Sequence, residues 1–126
     1  GMPALPRSHR LQNKAARVGF DWPDADGAGK KLEEEWGELK EAVAQGDQDA
    51  IESEMGDFLF SAVNYSRKLG VNAEDSTRSA ISRFISRFHH IESTLRDRGI
   101  SPEEVPLNEL DKLWNEAKSA ETQDLE

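Results

Sequence analysis

The chain has 126 residues, 36% hydrophobic and 33% charged, enough for one modest core and too little for two domains. Sixteen basic residues against 25 acidic give a net charge of −9, so duplex nucleic acid and anionic membrane surfaces are disfavoured as partners, since both require a basic face. There is no cysteine, which excludes disulfides and thiolate metal sites and suits a reducing cytoplasm, and no apolar run approaches the ~20 residues of a membrane span.

The start, Gly1-Met2-Pro3, carries no charged n-region followed by an apolar h-region, and Gly1 before Met2 reads as a residue left by tag removal. The chain then reads either as a complete protein or as the C-terminal domain of a longer one, with residues 1–5 a flexible start. Pro6 opens a first helix that stops near Gly19, and Phe20-Asp21-Trp22-Pro23-Asp24 reads as a structured loop. A second helix covers about Gly29 to Gln45 and ends at Gly46. Asp47 caps a third, Gln48 to Leu69, which Gly70 stops. Asn72 caps a fourth that runs to about Arg98. Ser101-Pro102 opens a short turn, and a last helix spans Leu107 to Ala120, with a flexible tail over 121–126. Nothing alternates with the period of a strand. The expectation is an all-α bundle of four to five helices in a single domain over 1–126.

The second helix carries the strongest pattern. At about 100° per residue, Lys31, Glu34, Glu35 and Glu38 fall within one arc of about 100°. Leu32, Trp36, Leu39 and Val43 lie beside it as the expected core face, so Glu35 and Glu38 border the core while Glu33 and Lys40 point away. The third helix repeats the arrangement: Ile51, Met55, Phe58 and Ala62 form a stripe, with Glu54 and then Asp57 to one side. A tight turn at Gly46-Asp47 brings the two acidic edges together. Carboxylates so placed repel one another and raise each other's pKa values, and a divalent cation resolves the conflict. An all-oxygen ligand set suits Mg²⁺ or Mn²⁺ rather than zinc. On spacing alone, a solvated acidic face remains equally open.

These residues resemble a known family. Lys31-x-x-Glu34-Glu35-x-x-Glu38, followed by Glu54-x-x-Asp57, looks like the EExxE…ExxD signature of MazG-type nucleoside triphosphate pyrophosphohydrolases. Leu11 to Pro23 resembles the run that opens the catalytic C-terminal domain of MazG proteins. The similarity continues through Arg83-Phe84-x-x-Arg87-Phe88 to Trp114 and Lys118. The resemblance implies the all-α pyrophosphatase fold, completed by homodimerisation or a higher assembly. It implies a cytoplasmic enzyme that hydrolyses nucleoside triphosphates to monophosphate and pyrophosphate with Mg²⁺, Mn²⁺ being a possible substitute. It makes Glu35, Glu38, Glu54 and Asp57 the metal ligands and, with Glu34, the catalytic set. Lys31, Glu34, Arg83, Arg87, Trp114 and Lys118 would line the nucleotide site.

Those roles make physical sense. An acidic site cannot bind a triphosphate directly, so metal must bridge carboxylates to phosphate oxygens and cations must cover the rest. Arg83 and Arg87 are one helical turn apart, as are Trp114 and Lys118; arginine suits bidentate phosphate contacts, and a tryptophan ring stacks on any base. Trp36 is assigned to the core, and Trp22 either covers the site or anchors its loop. Two departures from the family pattern stand out. Ile81 and Arg83 occupy positions where Asn and Lys are common, and Ser53 stands where many members carry a further Glu. Alternatives are a related branch acting on dUTP, dCTP or phosphoribosyl-ATP, and a catalytically weakened nucleotide-binding or interaction module, which Ile81 favours. A di-iron bundle needs Glu-x-x-His pairs in a core, and His9, His89 and His90 supply none.

Overall fold

The computed structural model describes residues 1–125, and among them every regular element is helical. In chain order these are α1 (Ala4–Arg17), α2 (Ala25–Gln45), α3 (Gln48–Lys68), α4 (Ala73–Asp97), a 3₁₀ turn (Pro102–Glu104) and α5 (Leu107–Leu125). The five helices are those expected, with three shifts. α1 starts at Ala4, two residues before Pro6 and inside the start expected to be flexible. α2 starts at Ala25 rather than Gly29 because the Asp24 carboxylate accepts a hydrogen bond from the Gly27 amide at 3.1 Å, an N-cap inside what reads as loop. α5 continues past Ala120, where a flexible tail was expected, and Glu121 on its last turns is tied to Arg87.

The chain divides into two compact units, residues 1–77 and the residues from Arg78 onward. In the first, Gly46 adopts φ +69°, a left-handed conformation that favours glycine, and Asp47 caps the next helix through the Ala50 amide at 3.3 Å. That turn folds α3 back along α2, and α1 packs against α3. Ala28, Leu39, Ala42 and Val63 form the buried seam. Small residues at 28 and 42 let the backbones approach closely.

The seam corrects the expected core face of α2. Leu39 is buried, but Trp36 and Val43 are exposed, and Leu32 is only half-buried. Trp36 lies on the surface beside the Phe58 ring, with centroids 5.6 Å apart, and the Lys40 ammonium sits 5.5 Å from its own ring centre. α2 is apolar on two sides, and the side that α3 covers carries Ala28, Glu35, Leu39 and Ala42. A helical wheel gives relative angles only, and the smaller side chains won the buried face because they allow tighter packing. On α3, Ile51, Phe58 and Ala62 are half-buried and Met55 is exposed.

In the second unit Ile91 and Leu95 of α4 meet Leu113 of α5, flanked by Val105, Leu110 and Trp114. Ile81, Phe84, Ile85 and Phe88 make an apolar stripe on α4 that stays exposed, each at least 41% accessible. Among the described residues, no helix is long and apolar enough to cross a membrane.

Candidate active site

The buried seam between α2 and α3 holds one charge. Glu35 is 6% exposed, on the side of α2 that also buries Ala28, Leu39 and Ala42. Lys31, one turn earlier, pairs with it at 3.0 Å and reaches Glu34 at 3.5 Å. These acids, Glu35 foremost, hold the lysine pKa above its ordinary value. One lysine does not neutralise what surrounds it. Glu38, a turn further on α2, and Glu54, facing them from α3, each bring a carboxylate oxygen to within 4.8 Å of the others and of Glu35.

The energetic signature is that of an unfinished site. Glu35 Oε2 and Glu54 Oε2 are buried and make no hydrogen bond. Buried acceptors are almost always paired, so two orphans in one cluster call for a missing positive partner. Glu38 is exposed at the rim of the trio, and its carboxyl is pushed above the usual carboxylate range, first by the adjacent Glu35 carboxyl and then by local desolvation and the charges of Glu54 and Glu34. Three carboxylates against one ammonium leave a formal deficit of two positive charges. That deficit, with purely oxygen donors, fits a hard divalent cation.

The other expected ligands sit differently. Asp57, one turn beyond Glu54 on α3, is exposed and stays outside the group of three. Glu34 is exposed and tied to Lys31. Arg83, Arg87, Trp114 and Lys118 all belong to the second unit, where they share a neighbourhood. The Arg87 guanidinium stacks 5.3 Å from the Trp114 ring centre, and Phe84 packs on the same tryptophan at 5.4 Å. Arg87 also grips the Glu121 carboxylate with contacts of 2.9–3.2 Å. Arg87, then Arg83 and Lys118, hold the Glu121 carboxyl below its ordinary range, which places both further cations near it.

Three features escaped the sequence reading. Glu121 falls in the segment read as tail. Gln12 is 7% exposed on the α3 side of α1, a polar residue at a helical core spacing that carries no motif. Asp21 clamps the Phe20–Trp22 loop to α3 through Arg67 and through Lys68 at 3.2 Å. The acidic residue in an aromatic, proline-bearing loop is a visible signal for such a clamp, but its partners 46 and 47 residues away are not.

Comparison with known sequences gives this arrangement its context. The profile of the MazG nucleotide pyrophosphohydrolase domain matches residues 26–92. The chain belongs to that family. The matched stretch contains Lys31, all four expected ligands, Arg83 and Arg87; Trp114 and Lys118 lie beyond it. The MazG domain is 43% identical over 120 residues to the nucleoside triphosphate pyrophosphohydrolase/pyrophosphatase MazG of Thermotoga maritima, covering 95% of the chain and 46% of that protein. It is 36% identical over 124 residues to the nucleoside triphosphate pyrophosphohydrolase of Escherichia coli, with the same coverage of each. A 71-residue match at 37% identity to Bacillus subtilis YabN covers 56% of the chain and 14% of that protein. The chain thus spans less than half the length of these relatives.

Proposed function

We propose that this MazG domain hydrolyses nucleoside triphosphates to the monophosphate and pyrophosphate, with Mg²⁺ as the working cation and Mn²⁺ as a substitute. The observation that carries the reading is the trio Glu35, Glu38 and Glu54, with oxygens within 4.8 Å of one another and two of them orphaned in a buried seam. Glu35, Glu38 and Glu54 would hold the metal, with Asp57 reaching it by a side-chain rotation from its exposed position. A divalent ion bound there supplies charge neutralisation for the phosphates and a lowered pKa for water.

The chain's own residues do the rest. Lys31, held between Glu34 and Glu35, presents an ammonium at the edge of the cluster for a phosphate oxygen. Glu34, exposed beside it, takes the proton of a water that attacks the α-phosphorus. A new P–O bond forms there, the bond to the bridging oxygen breaks, and pyrophosphate leaves. Within the second unit, Arg83, Arg87, Trp114 and Lys118 are the groups suited to nucleotide binding, and Glu121 holds Arg87 in place. The exposed α4 stripe of Ile81, Phe84, Ile85 and Phe88 supports a homodimer, in which a second copy covers it. Ile81 there serves the apolar stripe, which accounts for the polar residue it replaces. The lack of cysteine and the nucleotide substrate support a cytoplasmic location.

The test is product analysis by phosphorus NMR, with a panel of ribo- and deoxyribonucleoside triphosphates and with or without Mg²⁺. Metal-dependent pyrophosphate is the expected product, while orthophosphate would refute the reaction class. The same panel separates a broad enzyme from one dedicated to dUTP, dCTP or phosphoribosyl-ATP.

A further inference from the structure

In the second unit, the cation best shaped for a phosphate group is already engaged. Arg87 turns one edge of its guanidinium to Glu121, with Nε 3.1 and 3.2 Å from the two carboxylate oxygens and Nη2 2.9 Å from Oε2. An arginine fork meets a phosphate group with the same two-pronged geometry. One face of the guanidinium is covered as well. The Trp114 ring stacks on it at 5.3 Å, and Phe84 packs against that ring at 5.4 Å. Arg87 is thus held in one orientation, with its fork turned to the Glu121 carboxylate.

The surrounding charge exceeds what that carboxylate needs. Arg83 lies one turn before Arg87 on α4, and Lys118 lies one turn before Glu121 on α5. Behind Arg87 itself, both help to hold the Glu121 carboxyl below its ordinary range. Neither makes a salt bridge of its own among the described residues. Three cations therefore face one carboxylate, an excess of two formal positive charges. A brace for a single arginine needs one counter-charge. A surplus of this size fits an anion that carries several charges, such as a triphosphate.

The two partners are also unequally seated. The Arg87 side chain keeps 14% of its surface exposed, and that of Glu121 keeps 36%. Among the described residues, the last buried position of α5 is Ala117, so Glu121 lies a full turn beyond the packed part of its helix. The cation belongs to the wall and the carboxylate to the solvent side, so the acid is the member free to leave.

We infer that Glu121 is an internal competitor of the substrate: its carboxylate stands where a phosphate group binds Arg87, and the nucleotide enters by displacing it. The inference rests on the pyrophosphohydrolase reading for the identity of the anion. A triphosphate brings more negative charge than one carboxylate to the same three cations, and so it wins the exchange. The contact lowers the apparent affinity, because only molecules with Glu121 released can bind. For a pair with so exposed a partner, that reduction is about threefold to tenfold.

Steady-state kinetics of the whole chain with Mg²⁺ and ATP test this. Glu121→Gln keeps the shape and removes the charge, and it should lower KM by about threefold to tenfold with kcat little changed. Glu116→Gln makes the same change of charge on the same helix, at an exposed residue 3.7 Å from His90, and should leave KM as it is. Glu121→Asp, one methylene shorter, should fall between wild type and Glu121→Gln, and it carries the test if the glutamine variant loses its helical circular dichroism. A KM that rises in Glu121→Gln would make Glu121 a brace for Arg87. That result, an unchanged KM, or an equal fall in Glu116→Gln would overturn the inference and leave pyrophosphohydrolysis standing. If the wild type releases no pyrophosphate, the functional reading falls, and calorimetric titration with tripolyphosphate decides the role of Glu121 by itself. Tighter binding by Glu121→Gln than by wild type and Glu116→Gln upholds it; equal binding, or none, overturns it.

Discussion

Glu54→Gln should make the metal-free protein more stable and the Mg²⁺-bound protein less stable than the wild type. Glu35 and Glu54 present carboxylate oxygens no more than 4.8 Å apart, and each keeps a buried oxygen without a hydrogen bond. At that distance and an effective dielectric constant of about 20, two unit charges repel by about 3.5 kcal/mol. Lys31 already offsets part of this at Glu35, so a net relief of about 1–3 kcal/mol is the reasonable scale once the glutamine amide donates to its neighbour. For a chain of this length that corresponds to a rise of roughly 4–10 °C in Tm. Wild-type protein gains instead from the ion: about 2.7 kcal/mol at a free Mg²⁺ concentration near 100 times Kd. Thermal unfolding followed by circular dichroism, in chelator and in excess Mg²⁺, should show the two curves change order. A variant that is less stable in chelator, or that keeps the full Mg²⁺ increment, would refute the argument that the orphaned carboxylates exist for a cation.

Other outcomes follow from the same structure. Glu38→Gln should abolish pyrophosphate release while leaving the helical circular dichroism intact; undiminished turnover would remove Glu38 from the site. Leu95, 2% exposed at the centre of the second unit, should cost about 2–5 kcal/mol when cut to alanine, read from the denaturant midpoint. The Asp21 carboxyl is held below its ordinary value of 3.8, chiefly by its hydrogen bonds from Arg67. An acid lowered in the folded state stabilises above its unfolded value and loses that contribution as pH falls through the folded one. The Trp22 indole NMR signal should therefore hold steady from neutrality to about pH 4 and shift only below it. A shift already complete at about pH 5 would mean that the clamp does not hold the loop.

How much of this was legible follows from what a sequence encodes locally. Helix ends marked by Gly46, Asp47, Gly70 and Asn72 were readable because caps and left-handed turns act within four residues. The acidic trio was readable because i, i+3 and i, i+4 spacings fix which carboxylates share an edge. What failed depended on partners. Trp36 looks like core on a wheel, and only the choice of Ala28, Leu39 and Ala42 as the seam against α3 turns it outward. Glu121 reads as tail until Arg87 is placed beside it. Gln12 carries no motif, since its meaning comes from a single carbonyl, that of Phe60, 48 residues away.

Holding a divalent cation is the role proposed for Glu35, Glu38 and Glu54 together. Anomalous diffraction from crystals grown with Mn²⁺ tests it most directly. A manganese peak is expected among these three carboxylates, at metal–oxygen distances of about 2.0–2.2 Å. Manganese bound elsewhere, with the three carboxylates left unbridged, would contradict it.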